Sequence, residues 1–130
     1  MKSLSMILVL AAFAGGTAYA DCSYPKAPDH IPDGNTATLQ EMLAGQSAFQ
    51  AYNAEVKAYQ DCLRLEHDQA LSTTDPSKMT PDEKAAYDKQ KAALDNVLIQ
   101  KNDAAVDAAT AVTNRFNDQV KIYKDKHKKS

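Results

Sequence analysis

The sequence contains no tryptophan, and it has only four glycines and five prolines among 130 residues. It lacks a Gly-rich loop that could cradle phosphates, a Gly-x-Ser-x-Gly turn and an alternation of strand and helix patterns. Nucleotide-binding enzymes and α/β-hydrolases carry those signatures. Their absence predicts a protein that is not an enzyme and needs no cofactor.

Neither sign of charge dominates, and no histidine pair suits a metal. The 15 basic and 17 acidic residues give a net charge of −2, so nothing in the overall charge predicts a nucleic-acid partner. No two histidines have the i, i+4 spacing that would aim both imidazoles at one ion. Glu66, His67 and Asp68 are adjacent on a predicted helix and so point to different faces. We therefore expect a solvated face there and no metal site.

One apolar run stands out, and it lies at the start of the chain. Lys2 precedes it, the run extends from Met6 to Phe13, and Ala18-Tyr19-Ala20 follows, which are the three parts of a secretory signal peptide. The run is far shorter than the roughly 20 residues of a transmembrane helix. We predict that residues 1–20 are a signal peptide, that the protein has no transmembrane segment, and that it resides in the periplasm, with secretion to the exterior as the alternative.

The sequence has only two cysteines, Cys22 and Cys62. Export would place them where disulfides persist, and an even count favours pairing. They are forty residues apart and Cys62 lies within a predicted helix, unlike the closely spaced pairs of redox enzymes. As an extended segment, the residues before Thr36 are just long enough to bring Cys22 back along the helix to Cys62. We predict a structural disulfide.

Prolines are concentrated just after the predicted cleavage site. Pro25, Pro28 and Pro32 oppose both helix and central strand, so residues 21–35 are predicted to form an extended, Pro-rich arm that ends in a turn at Asp33-Gly34-Asn35.

Two helices are predicted after the arm. Thr38 with Glu41 is a possible capping box, with Asn35 and Thr36 as rival caps, and apolar residues at spacings of three and four predict helix 1 over about 36–72. Pro76 favours a loop over 73–79. Thr80-Pro81-Asp82-Glu83 is typical of a helix start, and helix 2 is predicted over about 80–126.

The predicted fold class is all-α, an antiparallel two-helix hairpin with an extended Pro-rich arm tied to helix 1 by the disulfide. The helical hairpin, residues 36–130, is expected to form one domain. Matching positions outward from the loop pairs Val56 with Val97 and Phe49 with Ala104.

Helix 2 is predicted to be the longer helix, with its excess at the C-terminal end. Phe116, Val120 and Tyr123 would then lie beyond helix 1, where they must meet the turn at residues 31–35, a second copy or another partner. They are our candidate partner-contact residues. Phe49, Tyr52 and Tyr59 could line a groove, but their helical spacing is more typical of a core.

The segment from Lys121 to Ser130 is basic with interleaved apolar residues. It could make a weak contact with an anionic envelope surface. Alternatively, its cations complement the negative end of the helix 2 dipole.

Several of these features resemble a loose group of small exported two-cysteine helical proteins of Gram-negative bacteria for which no activity is established. The resemblance covers about residues 21–66; it implies a periplasmic location and the disulfide, and transfers no site residues. It is carried by Cys22-Ser23-Tyr24-Pro25, Ile31-Pro32-Asp33-Gly34, Ala37, Glu41-Met42, Gln46, Tyr52, Tyr59 and Cys62-Leu63.

The leading functional hypothesis is a small exported, non-enzymatic interaction or structural protein that self-associates or binds a protein partner through its amphipathic helices. A periplasmic chaperone-like or stress-binding protein is the alternative. A metal-binding or enzymatic protein is the second alternative, and no residues form a pattern that favours it.

Overall fold

The computed structural model describes residues 21–72 and 74–128. Helix α1 spans Leu39–Ser72 and helix α2 spans Pro81–Lys128, with a single 3-10 turn at Pro76–Lys78 between them. This described part contains no strand, so the all-α class is confirmed. Neither helix is long and apolar enough to cross a bilayer within those ranges. The predicted signal peptide, residues 1–20, lies outside the described residues.

Both helices begin with a capping box. The Thr38 backbone N–H and hydroxyl donate to Glu41 Oε2 at 2.7 and 2.9 Å, and the Glu41 N–H donates back to Thr38 Oγ1 at 3.2 Å. Thr80 and Glu83 repeat the arrangement at the start of α2, with 2.8, 2.9 and 3.4 Å. Each box satisfies N–H groups that a helix start leaves without partners. Of the rival caps for α1, Thr38 is the one used.

The helices pack together as a helical hairpin. Residues later in α1 contact residues earlier in α2. The ring of Phe49 stacks on that of Phe116 with centroids 5.4 Å apart. Further along α1, His67 Nε2 lies 2.6 Å from Asp95 Oδ1, much earlier in α2.

The core consists of two small clusters between the helices. In both, large side chains of α1 pack on smaller ones of α2, and Ala105 is fully buried. This alternation of large and small lets the helix axes approach closely. The clusters comprise Tyr52, Val56 and Val112, and Tyr59, Leu63 and Ala105.

The predicted register between the helices is wrong. Val56 packs with Val112, not Val97, and Val97 is 48% exposed. Phe49 stacks on Phe116 instead of lying near Ala104. The prediction assumed that the chain reverses directly between the helices.

The connecting segment instead runs beside the first turns of α2. Thr74, Asp75 and Met79 line one cavity with Tyr87. Within residues 81–93 only Tyr87 is even half-buried. The 14 residues by which α2 (48 residues) exceeds α1 (34 residues) therefore extend α2 mainly at its start, not at its C-terminal end.

Residues 21–38 belong to neither helix, and they contact α1 in reverse order. The Lys26 N–H donates to Glu55 Oε2 at 3.4 Å, and the rings of Tyr24 and Tyr59 make an edge contact with centroids 5.3 Å apart. Further from Cys22, Pro32 lies directly on α1 at Gly45, where a Cβ atom would be 2.5 Å from Pro32 Cγ.

The turn at residues 33–36 lies on α2. Its backbone closes by hydrogen bonds from Thr36 and Ala37 to the Asp33 carbonyl at 3.1 and 2.8 Å. The Gly34 N–H donates to Gln119 Oε1 at 2.8 Å, and this glycine is buried against the α2 backbone.

Candidate functional site

Cys22 and Cys62 form the predicted disulfide. Their Cα atoms are 5.8 Å apart, and no free cysteine occurs in the described chain. Both residues are half-buried, and Cys22 packs on the cluster around Tyr59 and Leu63. The bond thus joins the segment before α1 to α1 itself, about two thirds of the way along the helix, against the core.

Glu66 lies one helical turn beyond Cys62, next to the disulfide. One of its carboxylate oxygens is within 4.8 Å of both sulfur atoms. Glu66 Oε1 is buried and has no hydrogen-bond partner among residues 21–72 and 74–128. The three residues resemble a metal-ligand group, but two sulfurs bonded to each other are poor ligands, because thiolates bind metals. In the oxidised protein this group therefore offers a single carboxylate.

A cavity of about 340 Å³ opens beside the disulfide on the arm side of the hairpin. Its apolar wall includes Leu63, Leu94 and Leu98. Asp21 and Glu66 contribute acidic groups to its lining. Lys101 of α2 and the imidazole of His67 also line it.

His67 connects the two helices through Asp95. Its Nε2 lies 2.6 Å from Asp95 Oδ1, and only 14% of its side chain is exposed. Lys91 Nζ donates to the other oxygen of Asp95 at 2.6 Å. The hydrogen bond from Lys91, and secondly that from His67, lower the pKa of Asp95, and the same bond to Asp95 raises the pKa of Lys91.

This His–Asp pair does not have the geometry of a catalytic dyad. The second ring nitrogen, Nδ1, faces another carboxylate, that of Asp68, at 3.4 Å. A general base needs a free nitrogen within reach of the proton it removes. Both imidazole nitrogens of His67 are engaged by carboxylates, so the pair ties α1 to α2.

The opposite side of the hairpin carries a second, open groove of about 590 Å³. A cross-helix hydrogen bond lies at its centre, from Gln60 Nε2 to Asn102 Oδ1 at 2.8 Å. We call this surface the arm-free groove. It is lined by Lys57, Gln60, Asp61, Arg64, Leu98, Ile99, Asn102 and Asp103.

Two exposed apolar residues lie on the face of α2 that borders the arm-free groove, Ile99 in its lining and Val106 beyond it. Ile99 is 55% exposed and Val106 is 40% exposed. With Asn102 between them they have the i, i+3, i+7 spacing of one helix face. Two exposed apolar residues thus share one face of α2 with Asn102, and the groove beside them carries charged residues of both signs.

The three candidate partner-contact residues lie close together but are not equally open. Phe116 is buried against Phe49, and the turn at Gly34 lies close to the Tyr123 backbone. Val120 and Tyr123 are half-buried, and the Tyr123 ring stacks on His127 with centroids 4.0 Å apart. Of the three contacts envisaged for this end, the turn is the one present within the chain.

The basic C-terminal segment is helical to Lys128. Lys126 donates a hydrogen bond to the Asn35 carbonyl, next to the turn. Lys121, Lys124 and Lys128 are exposed. The segment thus offers cations to solvent while one of its lysines fixes the turn.

Sequence reasoning missed the surroundings of Glu66 and His67. We expected a solvated face, yet Glu66 and His67 are half-buried and only Asp68 of the three is exposed. Their neighbours belong to other segments, since Cys22 lies beside Glu66 and Asp95 of α2 binds His67. The sequence did contain one indication of this burial, the i, i+4 spacing of Cys62 and Glu66. If Cys62 forms a disulfide, that spacing places Glu66 next to the bond.

Comparison of the chain with protein-family models, with curated proteins and with solved structures finds no match.

Proposed function

We propose that this chain is an exported, non-enzymatic interaction protein that self-associates through the arm-free groove. One observation carries the proposal. The arm and turn cover part of one side of the helix pair, whereas no residue of either lines the groove on the other side, where Ile99 and Val106 are exposed. Exposed apolar residues aligned on one face of a helix pair are typical of an interaction surface.

The charges of the groove favour a second copy as the occupant. Lys57 and Arg64 lie along it beside Asp61, and Asp103 lies across it on α2. A twofold axis brings the same patch of two chains together, so such a patch must complement itself. A surface with both signs of charge meets that requirement, because cations of one copy can face acids of the other.

The small core of the hairpin gives self-association an energetic reason. In the described residues only eight hydrophobic side chains are buried. A two-helix layer has little interior, and a second hairpin laid across the groove would produce the four-helix arrangement that buries such stripes.

The finer features of the fold and location belong to the same proposal. We infer that the two helices run antiparallel and that residues 21–35 form an extended arm along α1, which the reversed order of contacts supports. A periplasmic location is supported by the disulfide, since such bonds persist in oxidising compartments.

Light scattering on a sizing column tests the proposal with the oxidised, processed protein. We expect twice the mass of one chain. The double variant Ile99→Lys with Val106→Lys should be monomeric, because it places charge at the centre of the interface. Val97→Lys is the matched control, since Val97 is equally exposed but lies on the arm side, and it should stay dimeric.

A native protein that is monomeric at tens of micromolar would overturn self-association. Crosslinking in the periplasm at residue 99 would then decide between a different protein partner and no interaction at this groove. Suppression of the aggregation of an unfolded test protein by the monomer would favour a chaperone-like role instead.

A further inference from the structure

We propose that Glu66 binds the α-ammonium group that signal-peptide cleavage creates at Asp21. The cavity beside the disulfide is then a binding site for the processed N-terminus of the chain itself. This inference rests on the export and cleavage proposed above, but not on self-association.

The order of contacts along the arm brings Asp21 to Glu66. Lys26 lies at Glu55 and Cys22 is bonded to Cys62, so each step toward the N-terminus moves the arm along α1 toward its C-terminal end. Four residues of extended arm cover about 12 Å, and the corresponding seven residues of helix cover about 10.5 Å. Continuing one residue further, we expect the backbone nitrogen of Asp21 beside the next turn of α1, which carries Glu66, and Asp21 and Glu66 line one cavity.

Glu66 points back toward this position. Side chains of a helix tilt toward its N-terminus, so the carboxylate covers the turn that holds Cys62. Its distance of at most 4.8 Å from both sulfurs agrees with that direction. Asp21 and Glu66 also line the same cavity.

The carboxylate of Glu66 lacks the partner that an ammonium would supply. Its Oε1 is buried and accepts no hydrogen bond from the part of the chain that the structure describes. Burying a carboxylate oxygen without a donor is costly, and a new ammonium offers three donors and the opposite charge. Before cleavage the same nitrogen belongs to a neutral peptide bond, so the ligand exists only in the processed chain.

Other charged groups face the same cavity. Lys101 of α2 is the rival cation, but it forms no hydrogen bond with Glu66 in the described structure, and His67 is bonded to Asp95. The carboxylate of Asp21 itself adds negative charge beside the new ammonium. The disulfide holds Asp21 at this position, which gives the intramolecular ligand a high effective concentration.

The first experiment identifies the N-terminus of the protein purified from the periplasm, by intact mass and N-terminal sequencing. We expect a chain that begins at Asp21. A processed chain that begins at any other residue overturns the N-terminal site and leaves the arm-free groove unaffected. An unprocessed chain contradicts export itself, and the proposed function fails with it.

The second experiment measures the pKa of the α-amine by ¹³C NMR after reductive methylation. An opposite charge a few ångströms away raises the pKa of an amine, here by about one unit. Glu66→Gln should remove this increase. Asp107→Asn is the control, because it makes the same change of charge at an exposed position of α2, and it should leave the pKa unchanged.

A stability measurement separates the ion pair from a general effect of Glu66. Acetylation of the α-amine should lower the melting temperature of the native protein by several degrees, and should have little effect on Glu66→Gln. If Glu66→Gln does not fold, Glu66→Asp retains the charge with a shorter reach and should give an intermediate amine pKa. An amine pKa that is the same in the native protein and in the Glu66 variants would overturn the proposal.

Discussion

Gly34 and Gly45 lie where the N-terminal segment packs against the helices. Neither has a positive φ, so neither is required by backbone conformation. What each position requires is space. A Cβ at residue 34 would meet the Gln119 carbonyl and lie 2.8 Å from the Tyr123 nitrogen, both backbone atoms of α2. A Cβ at residue 45 would meet side chains instead, the Pro32 ring at 2.5 Å and the Phe116 ring at 3.3 Å.

We therefore predict that Gly34→Ala destabilises the protein more than Gly45→Ala. The α2 backbone cannot move aside for the new methyl group, and overpacking of this kind costs about 1–3 kcal/mol. At residue 45, alanine gains about 1 kcal/mol of helix propensity, which offsets part of the clash with Pro32. Urea unfolding of both variants measures the difference, and equal midpoints would show that the turn does not lie on α2 as described.

Some features of single residues can be predicted from their sequence neighbours, and others cannot. The turn at Asp33-Gly34-Asn35 was predictable because its side chains bond within the turn, as Asp33 Oδ1 does to the Asn35 N–H at 2.9 Å. Burial of Glu66 was not predictable in this way. It depends on Cys22, forty-four positions earlier, and no local pattern in the sequence encodes that contact.

Each helix is stabilised at its start by an acid that caps it. Hydrogen bonds from Thr38 lower the pKa of Glu41, and those from Thr80 lower the pKa of Glu83. A carboxyl group whose pKa is lower in the folded than in the unfolded protein stabilises the fold. The stabilisation is fully present at pH values above the pKa of the unfolded state, which is about 4.3 for glutamate. That contribution is lost as the pH falls through the folded pKa.

We predict that Glu83→Ala lowers the melting temperature at pH 7 and that the deficit shrinks at pH 3. Protonation at pH 3 weakens the native capping box, so the native protein falls toward the variant. Thermal unfolding followed by circular dichroism at both pH values measures this, with Asp107→Asn as an exposed acid outside both caps. A deficit of the same size at pH 3 would mean that the cap acts without its charge.

The residues at which the two helices begin were predictable, but the alignment of one helix along the other was not. Thr38 and Thr80 act through residues three positions away, so the capping signal is local. The pairing of Val56 with Val112 depends on the path of the segment that connects the helices. That short segment can either reverse the chain direction immediately or first lie along α2. Apolar spacing fixes which face of a helix is buried but not how far two such faces slide along each other.

The whole hairpin depends on the disulfide more than a larger domain would. The bond closes a loop of forty residues, for which the chain-entropy model gives on the order of 4 kcal/mol. It also fixes the arm, whose residues contact both helices. The fold class and this bond were predictable because helical periodicity, proline placement and the number of cysteines all favoured the same arrangement.

We predict that Cys62→Ser lowers the melting temperature by more than ten degrees, since 1 kcal/mol shifts it by about 4–8 °C in a domain of this size. Cys22→Ser should have the same effect, and the double variant should not add to it, because either change removes the same bond. Calorimetry of the three variants and of the reduced native protein gives the comparison. An unchanged transition would mean that the arm is held by its other contacts alone.

The same bond determines how the molecule would carry a mechanical load. Residues 22–62 form a covalent ring that includes the arm, the turn and the first two thirds of α1. Tension applied between residue 21 and the C-terminus passes through the sulfur atoms directly into α1 at Cys62, and the backbone of the ring bears none of it. The part of the hairpin that carries Gly34, Gly45 and the capped start of α1 is thereby shielded from pulling, and α2 and the last turns of α1 would yield first.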